Sequence, residues 1–83
     1  MRAMKEPKLE HLLQRIGCGL TQLRMLKGYT TIKDFAIDHS LPFIHYWRIE
    51  KGKANITLKT LIGLLSIHKI TVEDFFTIIR AHC

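Results

Sequence analysis

Apolar residues recur at steps of three and four along most of the chain, and polar, glycine or proline breaks divide that recurrence into five blocks. Leu9, Leu12, Leu13, Ile16, Leu20 and Leu23 make the first block, the spacing of one helix face. Pro7 suits the first turn of that helix. Gly28 fits a cap at its end, and Lys27 in the last turn complements the helix dipole. Gly17 and Gly19 each weaken such a helix by about 1 kcal/mol relative to Ala, so the pattern predicts a neighbour packed closely against them. "TIKD", Thr31 to Asp34, is a capping-box-like start and opens a short helix through His39, with Phe35 and Ala36 toward the core. "SLP" interrupts it. Pro42 restarts a helix that runs to about Lys51, and Gly52 ends that one. Thr57 caps "LKTLIGLLSIH", in which Leu58, Leu61, Ile62, Leu64 and Leu65 are apolar. Thr71 with Asp74 repeats the capping pattern and opens "VEDFFTIIRAHC". "TTI" and "ANIT" are too short to be strands. The expectation is an all-α domain of five helices spanning residues 7–83, preceded by a flexible N-terminus at residues 1–6.

The third block carries more apolar bulk than one buried stripe needs. With Tyr46 and Ile49 on the core side, a rotation of about 100° per residue turns Ile44, Trp47, Arg48 and Lys51 the other way. A surface helix normally leaves that face polar. An isoleucine and the chain's single tryptophan beside two cations therefore mark the outward face as a contact surface.

The 83 residues suffice for one small domain, and 47% hydrophobic with 24% charged residues describes a globular chain. Lys and Arg number 13 against 7 Asp and Glu, a formal charge of +6, which favours a polyanionic partner. Cys18 and Cys83 form no CxxC pair and read as reduced thiols in a cytoplasmic protein, without a disulfide. The histidines, His11, His39, His45, His68 and His82, lack metal-ligand spacing, so neither a metal nor another cofactor is expected. No apolar run is long enough to span a bilayer, and "MRAMKEPK" lacks the apolar core of a signal peptide. No membrane partner is expected. Paired carboxylates, a Ser/His/Asp set and a phosphate-cradling glycine loop are all missing from the pattern, so an enzyme with a small-molecule substrate is not the reading.

Two short helices joined by a tight turn have helix-turn-helix geometry, and at this point the residues match a family. The stretch from Ile16 to Phe76 resembles the phage-repressor-like (Cro/C1, or XRE-type) helix-turn-helix proteins. Ile-Gly-x-x-Leu-x-x-Leu-Arg ends at Arg24, Ala36 is the small residue inside the second helix, and "RIEKGK" runs from Arg48 to Lys53. "TLKTL" opens the fourth helix and "ITVEDFF" the fifth. The order and spacing of these features carry the resemblance. The chain departs from the pattern in four places. Ser40 replaces the usual turn glycine, and the loop "KGYTT" is one residue longer. Tyr46 replaces an aliphatic residue, and Phe43 and Ile44 replace the usual polar base-reading side chains.

The resemblance implies a repressor-like five-helix fold and sequence-specific binding of double-stranded DNA. The third helix would lie in the major groove, in a transcriptional regulator acting as a homodimer. Phe43, Ile44, Trp47 and Arg48 then face the bases: Phe43 and Ile44 against thymine methyl groups, Arg48 against guanine or a phosphate, and Trp47 along the backbone. Thr31 and Lys33 at the start of the second helix, with Lys51, Lys53, Asn55 and Thr57 around the loop after the third, face phosphates. Arg24 and Glu50 are expected to pair and orient the third helix. On the fifth helix Val72, Phe75, Phe76 and Ile79 form an apolar stripe that Ile78 widens. An uncovered stripe of this kind is uncommon on a monomer, so Ile78 and Ile79 are expected at a dimer interface and Phe75 in the monomer core. The other course is for this segment to fold back on the first helix around Leu12 and Ile16. The rival function is a protein-interaction module, antitoxin-like or scaffolding, that uses the apolar face of the third helix.

Overall fold

The computed structural model describes residues 7–83, and the segment 1–6, read above as a flexible N-terminus, lies outside them. The described residues form five helices and no strand: α1 (Pro7–Leu26), α2 (Ile32–Asp38), α3 (Phe43–Glu50), α4 (Leu58–Ile67) and α5 (Val72–His82). The domain is all-α, and none of its helices is long and apolar enough to cross a membrane.

Local chemistry explains the helix boundaries. The hydroxyls of Thr31, Thr57 and Thr71 accept hydrogen bonds from the backbone N–H groups of Asp34, Thr60 and Asp74, at 3.1, 3.1 and 3.0 Å. Each cap satisfies one amide that the helix itself cannot. At the other end, α1 to α4 all stop the same way. Gly28, Ser40, Gly52 and Lys69 take positive φ values of 98°, 56°, 71° and 58°. The next residue in each case donates its N–H back to a carbonyl five positions earlier: Tyr29 to Arg24, Leu41 to Ala36, Lys53 to Arg48 and Ile70 to Leu65. This is the left-handed C-terminal cap that glycine favours. Ser40 and Lys69 adopt it although a Cβ is unfavourable there.

α1 is the central helix. α3 packs on one side of it and α5 on the other, while α2 packs on α3 and α4 on α5. The two mid-helix glycines make these approaches possible. A Cβ on Gly17 would meet the backbone carbonyls of Glu50 and Ile49, and one on Gly19 would come within 2.8 Å of the Phe75 ring. Leu20, Phe35, Tyr46, Leu61, Leu65, Phe75 and Ile79 are fully buried and fill the space between the helices. Leu12 is exposed, and Leu9 and Leu13 are only half-buried. The first turns of α1 therefore project past the core that the rest of its stripe joins.

Two expectations are corrected. Cys18 and Cys83 are joined in a disulfide across 65 residues of sequence, with Cα atoms 6.0 Å apart. Neither is a free thiol, and the cysteine-based argument for a reducing compartment falls away. The bond is possible because α5 lies along α1, a tertiary relationship that cysteine spacing does not encode. Ile79, expected at a dimer interface, is 2% exposed, because the α5 stripe turns inward onto α1. Its neighbour Ile78 stays half-buried.

Candidate nucleic-acid interface

α2 and α3 meet across the turn His39–Pro42. Leu41 N–H bonds Ala36 O at 2.8 Å and Tyr46 N–H bonds Pro42 O at 2.9 Å, which ties the turn to both helices. Pro42 caps α3 with extended backbone and no side-chain hydrogen bond. Tyr46, Ile49 and Glu50 face inward, and Phe43, Ile44 and Arg48 face out with Trp47 half-buried.

Behind α3 lies a buried charge pair. Arg24 donates from Nε to Glu50 Oε2 at 2.9 Å and from a terminal nitrogen to Oε1 at 3.2 Å. The Thr21 hydroxyl adds a third donor to Oε1 at 2.7 Å. Arg24 also bonds the Tyr29 carbonyl at 2.9 Å. One guanidinium thus fixes the end of α3 and the entry to α2 relative to α1, in the bidentate geometry that makes such pairs directional. Tyr46 lies on the same side. Burial, and then the neighbouring Glu50 carboxylate, push its phenol far above the ordinary value, so it stays neutral.

In front of α3 the side chains form a compact group. Phe43 is 40% and Ile44 65% exposed. Lys53 Nζ sits 5.5 Å from the centre of the Trp47 ring, within cation–π range. Arg48 donates to the Lys53 carbonyl at 2.8 Å, so the loop after α3 is fastened to α3 itself. Lys51 is exposed at the end of the helix. Trp47 and Arg48 are therefore both in contact with Lys53, and Phe43, Ile44 and Lys51 extend the same helix face. Lys33 and Asn55 are exposed, on α2 and in the loop before α4. The Thr31 hydroxyl accepts the Asp34 amide, and the Thr57 hydroxyl both accepts from the Thr60 backbone and donates to the Thr60 hydroxyl. The Thr31 and Thr57 side chains thus serve as caps of α2 and α4, and both residues are exposed.

Several residues in the frame carry no sequence signal. Thr21 joins the Arg24–Glu50 pair. Arg15 donates to the carbonyls of Cys83 and Ile79 at 3.3 and 3.5 Å, and Gln22 donates to the His82 carbonyl at 3.4 Å, so α1 caps the end of α5. Phe35 is surrounded by rings: His39 at 4.6 Å, Tyr46 at 5.2 Å, Tyr29 at 5.3 Å and His68, stacked parallel, at 5.5 Å. Away from α3, Ile78 lines a groove with Gln22, Leu23, Met25, Leu26 and His82, and Leu26 is 84% exposed.

Neither family models, nor curated proteins, nor solved structures match this chain.

Proposed function

We propose that this protein binds double-stranded DNA in a sequence-specific manner as a homodimer, laying the outward face of α3 in the major groove, and so regulates transcription. The observation that carries the reading is the face itself. Exposed Phe43 and Ile44, with Trp47, are bordered by Arg48, Lys51 and Lys53, and a buried ion pair holds the helix from behind. An apolar strip flanked by cations matches the major groove, where thymine methyl groups lie between two phosphate backbones. The resemblance of Ile16 to Phe76 to Cro/C1-type domains supports the same arrangement, as does the net charge of +6. A DNA-binding role places the protein in the cytoplasm, a placement that rests on the partner and not on the cysteines.

Homodimerisation follows from the small footprint of one module, since a two-fold pair reads two half-sites. The groove of Ile78, Met25 and Leu26 is an apolar surface that suits it, with Ile79 assigned to the core.

In-vitro selection of duplexes from a random library tests the reading. An enriched, two-fold related site is expected, bound with an affinity that falls linearly with log salt at about −0.9 per phosphate contact. The exposure of Ile44 and Phe43 also suits a protein partner for α3. Selection without enrichment, together with a flat salt response, would favour that second reading.

A further inference from the structure

We infer that α3 selects its site by the 5-methyl groups of pyrimidines, through apolar contact from Phe43 and Ile44, and not by hydrogen bonds from its first turn. This rests on the proposed binding of DNA and names the chemistry that the bound sequence must carry.

The inventory of the face leads there. Phe43 and Ile44, two of the three exposed side chains of the first turn of α3, have no hydrogen-bonding atom. The polar groups of the same face come later and are partly committed. Arg48 holds the Lys53 carbonyl, and the Lys53 ammonium lies over Trp47. His45 is the remaining polar side chain of the first turn. It is exposed but its neighbour one turn on is the buried Ile49, whereas the neighbour of Phe43 one turn on is Trp47 of the outward face. The part of α3 that enters the groove first thus presents hydrocarbon, bordered by cations that suit the flanking phosphates.

Hydrocarbon cannot tell the O4 acceptor of thymine from the N4 donor of cytosine, because apolar contact is not directional. It does respond to the C5-methyl group, which thymine and 5-methylcytosine share and which uracil and cytosine lack. Covering one methyl group changes affinity about four-fold, from the usual free energy of burying a carbon of this size. A two-fold dimer repeats the effect in each half-site, giving about sixteen-fold for a symmetric pair of methyls.

The test uses the duplex recovered by selection and the full-length protein. Each thymine in the site is replaced in turn by uracil, which removes only the methyl. In a second series each T·A pair is changed to C·G, with and without 5-methylation of that cytosine. Binding is read by fluorescence anisotropy. Expected are losses of about four-fold for uracil at one or two positions per half-site and a gain of the same size on methylating cytosine there. Both effects should shrink toward one-fold in Ile44→Ala or Phe43→Ala, each checked for unchanged helix content by circular dichroism. Tight binding to the selected duplex that ignores uracil and 5-methylcytosine overturns the inference and leaves DNA binding intact. A selected site with no thymine does the same. Failure to enrich any duplex overturns the DNA reading and this inference together.

Discussion

Gly17 lies directly against the backbone carbonyl of Glu50, so that α1 and α3 touch main chain to main chain where the buried ion pair sits. No side chain fits between them. Gly17→Ala is expected to push α3 away and to cost about 1–3 kcal/mol, the usual range for overpacking. Gly63, mid-helix in α4, has nothing within 4 Å of an added Cβ. Gly63→Ala should instead stabilise by about 0.5–1 kcal/mol. Urea denaturation of the two variants gives opposite shifts if the α1–α3 contact is as close as described. Equal shifts would refute it.

Arg24 and Glu50 are both buried, and Thr21 shares the carboxylate. Removing one charge strands the other, at a cost of about 3–5 kcal/mol. Arg24→Ala should be the more damaging change, because it also frees the Tyr29 carbonyl. In a double-mutant cycle the Arg24→Ala, Glu50→Ala protein should lose less than the sum of the single losses. Strict additivity would mean the pair does not act as a unit.

Ser40 and Lys69 take the left-handed conformation that caps α2 and α4. A side chain there costs about 1–2 kcal/mol, part of which glycine returns through its larger unfolded-state entropy. Ser40→Gly and Lys69→Gly should each stabilise by up to about 1 kcal/mol, measured by thermal melts. For Ser40→Gly, folding with unchanged helix content while stability falls would show that the serine side chain supports the turn.

His68 stacks on Phe35, half-buried, and its pKa lies below the ordinary 6.5 because of burial first, then the electrostatic influence of Lys27 and His39, with Glu50 opposing them. The neutral ring is favoured in the folded state. Its contribution is therefore fully present above about pH 6.5, the unfolded value, and is lost as pH falls through the lowered folded value. Urea midpoints should drop between neutral and mildly acidic pH, and His68→Phe should flatten that part of the profile. A wild-type profile that rises on acidification would reverse the assignment.

How far the sequence reveals this molecule depends on the range over which each feature is determined. Thr31, Thr57 and Thr71 announce their helices because a cap bonds an amide three residues away. Gly28 and Gly52 announce helix ends because glycine is the residue type a positive φ favours. Lys69 does the same work silently. The outward face of α3 is legible as a surplus of apolar residues over one stripe, and Gly17 and Gly19 are legible as points of close approach. The α5 stripe is legible as a stripe, but periodicity does not say whether its partner is α1 of the same chain or a second copy, and Ile79 was assigned to the wrong one. The roles of Thr21, Arg15 and Gln22 depend on α1 lying between α3 and α5, as does the cysteine pairing, and nothing local encodes that.

The disulfide between Cys18 and Cys83 closes a loop of 65 residues that contains the last turns of α1 and the whole of α2, α3, α4 and α5. On the chain-entropy account, a loop of this length restricts the unfolded chain by about 4 kcal/mol. Arg15 and Gln22 hold the same end of α5 by hydrogen bonds to carbonyls at its end, and Phe75 and Ile79 are buried in the core, so α5 has anchors besides the sulfur bond. Reduction should therefore lower stability by up to about 4 kcal/mol while leaving the helix content and the α3 face unchanged. Dithiothreitol titration, followed by circular dichroism and by thermal melts, checks this, and Cys83→Ser should reproduce the reduced protein. Loss of helix content at room temperature on reduction would show that the side-chain bonds from α1 do not suffice to seat α5. An unchanged melting temperature would show that the two cysteines do not form the bond in solution.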